Sequence, residues 1–411
     1  MSGPKVAKPL PRPVISVVPA LEPNRVSTFG VTAVTLLLSL FDFYIPALGL
    51  RPFDALALGV AIVGALLWGG GRPAFCVMWT AAANVVALIS MVAALCLSNE
   101  INLSSYIGIV IGFTFLYLWG GVIDRANSRD LSLAIERALQ MHAIAFVAMF
   151  VWHRMVGSPL DLHSLFGSRV KGLEDQVVQR SGGLFREPSN YSFYVVTSMW
   201  MLYRLRGHCH NAWIYYLTVI ASFSAWGIVS GLAFMLMTGS IFRAVVGIGS
   251  IAIVIAIAVA ISEQIATNLD WLSSRFLNVS EDGSFMARYG GGGASEFSVW
   301  GNAFVFQDDS AYTALTHPLY GMGALGCVVI ASWAAHCFAG SVGASLRNKS
   351  LGAVMFLLIM IASPRWSYLY FYFIVALTSS VGQVMPHRIE SRHGCKWWQW
   401  REPSHDRGFI Q

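Results

Sequence analysis

The sequence predicts an all-α protein: a polytopic helical integral membrane protein of about twelve transmembrane helices with two long external loops. Three observations predict this class. Only 12% of the 411 residues are charged while 56% are hydrophobic, against about 25% charged in soluble domains. Apolar stretches of about 20 residues recur along the chain, and a helix of that length satisfies its own backbone in hydrocarbon. The basic residues, finally, are distributed unevenly between the two sides that such spans would separate.

Residues 1–27 form a Pro-rich basic segment carrying Lys5, Lys8, Arg12 and Arg25. No short apolar core with a small-residue cleavage site follows it, so a cleaved signal peptide is not expected. Spans are predicted near 28–50, 53–70, 74–97, 104–123, 134–156, 189–203, 211–225, 227–242, 244–262, 317–338, 350–363 and 367–385. The seventh and eighth are joined only by SAWG at 224–227, and read either as full spans or as shorter re-entrant pieces. The transmembrane unit covers 28–385. A basic tail with three tryptophans, 386–411, suits the headgroup zone of an inner leaflet.

With the N-terminus in the cytoplasm, the inner segments carry 18 of the 27 Lys and Arg and the outer segments carry 9. That bias follows the positive-inside rule and places both termini in the cytoplasm. The net charge of +6 is therefore a matter of topology, and no nucleic acid is expected as a partner. Cys76, Cys96, Cys327 and Cys337 fall in apolar spans, and Cys209 and Cys395 in short basic segments. No disulfide is expected.

The two long external loops, about 157–188 and 263–316, concentrate the polar chemistry. Eight of the nine outer basic residues are arginines: Arg51, Arg154, Arg169, Arg180, Arg186, Arg275, Arg288 and Arg365. A guanidinium presents several donors in a planar fork suited to phosphate and carboxylate. In RSGGLFREPSNYSF, residues 180–193, Gly182 and Gly183 permit a turn with positive φ. Pro188 fits the first turn of a helix, and Ser189 and Asn190 are expected to satisfy free donors there. A helix N-terminus flanked by Arg180 and Arg186 is expected to bind an anion. Glu187 reads either as a general base or as the partner that orients Arg186.

The pattern of Arg followed by G-G-hydrophobic-F-x-E-P-S at the start of a membrane helix resembles the Wzy-type polysaccharide polymerases. These belong with the O-antigen ligases to a broad superfamily of membrane glycosyltransferases. SFSAWGIVSGLAFML (222–236), SSRFLNVSEDGSFMARY (273–289) and HPLYGMGALG (317–326) resemble further family segments, in the expected order. The resemblance covers roughly 165–326. It implies polymerisation of polyprenyl-diphosphate-linked oligosaccharide repeat units at the periplasmic face of a bacterial inner membrane. A chain-length regulator and a flippase of the same pathway would be partners.

On that reading Arg180, Arg186, Arg275 and Arg288 bind diphosphate. Arg169, Gly183, Asp282, Ser284 and Trp300 contact substrate, and Glu187 and His317 are the candidate bases, with His163 behind them. No cofactor is expected. No metal is expected either, since Glu281 and Asp282 lack further ligands and H-C-H at 208–210 lies in a short basic turn. Asp42 is expected to pair with Arg51 or face water. Two other functions remain: a ligase that transfers glycan from the same lipid donor to another acceptor, and a transporter or flippase. Transporters usually carry polar groups at mid-membrane in repeated halves, whereas the polar residues here collect in loops on one face.

Overall fold

The computed structural model describes residues 28–45, 51–68, 74–97, 103–126, 128–158, 160–167, 181–239, 321–329, 346–362 and 369–374, with a few isolated positions between 249 and 332. Helices account for the regular structure, and no β-strand occurs among the described residues. In chain order they are α1 (Thr28–Ser39), α2 (Pro52–Trp68), α3 (Ala74–Leu97), α4 (Leu103–Arg125), α5 (Ser128–Val156), α6 (Pro188–Arg206), α7 (Ala212–Ala221), α8 (Ala225–Thr238) and α9 (Leu346–Met360). Among the described residues, α5 alone is long and apolar enough to cross a membrane by length and composition. The helical class is thus established, while the number of crossings rests on the sequence.

Several boundaries differ from the sequence expectation. The first helix stops at Ser39 rather than running to residue 50, because Asp42 is drawn away to polar partners on another element. Helix α5 begins at Ser128, six residues before the predicted span, and includes Arg129 and Asp130 in its first turn. The α7–α8 turn is Ser222–Phe223–Ser224, not SAWG: Ser224 is the N-cap of α8, and its Oγ accepts from the Gly227 N–H at 3.3 Å. These helices of 10 and 14 residues are shorter than the roughly 20 needed to span hydrocarbon, as are α1, α2 and α9. Apart from Gly249, the predicted ninth span lies outside the described residues, as do both tails.

Helix α6 is the centre of the bundle. It packs against α5 on one side and the α7–α8 hairpin on the other, while α1 joins α5 to α2 and α8 meets α9. Its sequence carries both apolar bulk and hydroxyls, and nearly all of it is buried. A helix covered all round must satisfy its polar side chains across helix contacts. Accordingly, the Tyr191 hydroxyl donates to Thr218 Oγ1 at 2.6 Å, Ser192 Oγ lies 3.0 Å from Ser222 Oγ, and Thr197 Oγ1 lies 2.9 Å from the Tyr370 hydroxyl. Outward faces are apolar instead: Leu66 on α2, Leu88 on α3, and Ile144 and Met155 on α5 are all exposed.

Gly227 sets the approach of α6 to α8. A Cβ there would strike Ser192 and would lie 2.8 Å from Val219 Cγ1. Overpacking of this kind costs about 1–3 kcal/mol. Gly227→Ala is therefore expected to lower the thermal unfolding midpoint of detergent-solubilised protein. Gly59→Ala, placed where nothing lies within 4 Å, should not.

Candidate functional site

The turn that leads into α6 is built from the inside outward. Gly183 adopts φ +58, and a Cβ there would stand 3.1 Å from Phe146 Cα, so glycine is required both by conformation and by the close approach of α5. The Gly183 N–H donates to Ser181 Oγ at 3.2 Å, and the Phe185 N–H donates to the Gly182 carbonyl at 3.0 Å. Close approach of the Gly-Gly pair is thus to a neighbouring helix of the same chain. Phe185 follows as an anchor, 1% exposed, with its ring 5.3 Å from Phe41, 4.9 Å from His142 and 5.5 Å from Tyr194.

Beyond Phe185 the backbone meets Asp42, which is 6% exposed. Asp42 Oδ2 accepts from the Arg186 N–H at 2.6 Å, and Asp42 Oδ1 accepts from Asn190 Nδ2 at 3.0 Å. A buried carboxylate needs such donors, since burying a charge without them is expensive. Asp42 therefore ties the connection after α1 to the first turn of α6. Its role as an Arg51 partner gives way to this one. The Arg186 N–H, just before the N-cap of α6, thus serves the protein's own carboxylate.

Glu187 stands at the N-cap of α6 in extended conformation, φ −125 and ψ 137, with Pro188 as the first helical residue. Its carbonyl accepts from the Asn190 N–H at 3.0 Å, and its Oε2 accepts from the Ser189 hydroxyl at 3.2 Å. Ser189 and Asn190 thus serve Glu187 and Asp42 rather than capping the helix themselves. Arg186 and Glu187 are both partly exposed. A cation and a carboxylate consequently stand side by side on backbone that is fixed from below.

His163 closes the other flank. It lies in the short 3-10 turn Leu162–Phe166, whose N-cap Asp161 accepts from the His163 and Ser164 N–H groups. Its ring stacks on Phe43 at 4.4 Å, and its Nε2–H donates to the Leu184 carbonyl at 3.0 Å. Burial holds its pKa down at about 4, with Arg186 pulling in the same direction while the Leu184 carbonyl and Asp161 pull upward. A buried histidine donating to a carbonyl is a clasp joining three segments, and this replaces its reading as a reserve base.

Of the residues predicted from sequence, the structure brings Gly183, Arg186 and Glu187 together. Arg169, Arg180, Arg275, Asp282, Ser284, Arg288, Trp300 and His317 lie outside the described residues. Sequence reasoning missed Asp42 as the tether and His142, whose Nε2 lies 2.9 Å from Ser39 Oγ beneath Phe185. One signal for Asp42 was available: a lone carboxylate between two phenylalanines in an otherwise apolar stretch. Among the described residues no group of three or more His, Cys, Asp and Glu side chains is placed to hold a metal ion.

No family model, curated protein or solved structure matches the chain.

Removing Asp42 leaves one buried and one partly buried donor unsatisfied, the buried one costing about 1–3 kcal/mol. Asp42→Ala is expected to destabilise the protein by about that amount or more. Once Asp42 is absent, Asn190→Ala should add much less than it costs alone. A double-mutant cycle on denaturant or thermal unfolding measures this coupling.

Proposed function

We propose that the chain is a membrane glycosyltransferase that polymerises polyprenyl-diphosphate-linked oligosaccharide repeat units into a surface polysaccharide. The reading places it in a bacterial inner membrane with about twelve spans, both termini in the cytoplasm and the site facing the periplasm. The observation that carries it is the Arg186–Glu187 pair, partly exposed on a turn whose backbone is held by Asp42 and whose anchor Phe185 is buried. Outward apolar side chains on α2, α3 and α5 support a lipid environment for the bundle.

The chemistry follows from what each group offers. The lipid tail of the donor lies in hydrocarbon and its diphosphate at headgroup depth. Arg186, with Arg180, Arg275 and Arg288 from the two loops, holds the diphosphate and balances its charge as it leaves. Glu187 accepts the proton from the hydroxyl of the acceptor sugar. That oxygen bonds to the anomeric carbon of the donor while the bond from this carbon to the diphosphate breaks. The lipid diphosphate departs with the electron pair. His317 is the alternative base. Arg169, Gly183, Asp282, Ser284 and Trp300 complete the substrate contacts. Asp42 touches no substrate in this scheme: it is a positioning residue for the turn.

Purified protein supplied only with lipid-linked repeats should elongate them into a ladder of products. A product that never exceeds a single transfer to a foreign acceptor would indicate a ligase, and translocation without bond formation a transporter. Losing one charge-assisted hydrogen bond costs about 1.5–3 kcal/mol, so Arg186→Ala should slow elongation about 10–100-fold. Glu187→Gln should lower it about 100-fold or more if Glu187 is the base. Elongation at wild-type rate in both variants contradicts the assignment.

A further inference from the structure

At the opposite end of α6 from Glu187, about 28 Å along a helix of 19 residues, the chain turns through Gly207, His208, Cys209, His210 and Asn211 into α7. Gly207 has φ +77 and ends α6 with its N–H donating to the Tyr203 carbonyl at 2.8 Å. Asn211, φ 56, begins α7 in the same left-handed region. These two residues bracket a tight turn in which both imidazoles are exposed and converge. His208 Nε2 lies 2.8 Å from His210 Nε2, with ring centroids 4.3 Å apart and planes at 74°. At this distance one ring donates its Nε2–H to the lone pair of the other. Two ligand positions therefore share a single proton.

We propose that His208 and His210 form a two-histidine site for a divalent first-row transition ion, with Cu2+ held most tightly. An ion about 2.0–2.1 Å from each nitrogen separates them by about 2.9 Å when the angle at the metal is a right angle, and by about 3.3 Å when it is tetrahedral. The observed 2.8 Å matches the right angle, the geometry of tetragonal Cu2+ and Ni2+ sites. On binding, the shared proton moves from Nε2 to Nδ1 of the same ring. Both rings are then neutral Nδ1–H tautomers with Nε2 on the metal, and no proton is released overall.

The surroundings permit a cation and define its other ligands. Cys209 is engaged elsewhere: its thiol donates to the His210 carbonyl at 3.6 Å. The remaining positions on the metal fall to water. The charge of Arg206 is balanced locally, as its Nη1 pairs with Glu136 Oε2 at 2.5 Å and its Nε donates to Ser132 Oγ at 2.8 Å. The sequence alone argued against a metal because H-C-H sits in a basic turn; the convergence of the two Nε2 atoms and this ion pair reverse that judgement. The site is remote from the Arg186–Glu187 turn and stands independently of the polymerase reading.

The test is Cu2+ binding to full-length, tag-free protein in detergent, followed by titration and by electron paramagnetic resonance. The wild type should bind one tight equivalent with splitting from two imidazole nitrogens. His208→Asn and His210→Asn should each leave one nitrogen and weaken binding by at least about tenfold. Cu2+ should raise the unfolding midpoint of the wild type but not of the double variant. The turn is exposed, and equal midpoints of the metal-free proteins will verify that the variants fold. A wild-type spectrum without two nitrogens, or affinity and spectrum unchanged in the single variants, would overturn the site.

Discussion

The carboxylate of Asp42 is the interaction on which the candidate site depends. It leaves the end of α1 and enters the first turn of α6, where it takes the Arg186 N–H and the Asn190 amide. Several features around it follow from the need to give a buried carboxyl group hydrogen-bond partners. Helix α1 ends early to free the residue. Phe185 packs beneath it against Phe41 and His142, and His163 fixes the Leu184 carbonyl from the side.

This arrangement separates two jobs within a single short segment. Within the GGLFREPSN run, the two glycines, the phenylalanine, the proline and the asparagine are buried. Arg186 and Glu187 are left partly exposed on that support. The backbone just before the helix already has an internal carboxylate, since the Arg186 N–H donates to Asp42. Under the proposed function, recognition of the lipid diphosphate falls to side chains carried on this base. Such preorganisation is what positions groups for catalysis.

Much of the helical framework was legible in the sequence because long apolar runs leave few alternatives to helix. The starts of α3 and α4 fall within a residue of expectation. Gly183 and Pro188 were legible as well, since positive φ and a helical first turn are local demands. Asp42 was not, because its partners lie more than 140 residues away and no local pattern announces a tertiary hydrogen bond. The same holds for His163: as an isolated histidine it resembles a base, and only the Leu184 carbonyl and the Phe43 ring reveal a clasp. Conversely, the α7–α8 turn was misplaced because Trp226 and Gly227 look like turn residues. In the fold, Gly227 is helical to admit Ser192, and the Trp226 Nε1–H reaches the Leu358 carbonyl.

Amide hydrogen exchange at Arg186 tests most directly whether Asp42 fixes the turn. The tether predicts that this amide is protected in the wild type to a degree comparable with the interior of α6. Replacing Asp42 with alanine should release it, while residues 195–202 stay protected. An Arg186 amide that exchanges as rapidly in the wild type as in the variant would contradict the tether and the rigid presentation of Arg186 and Glu187 that depends on it.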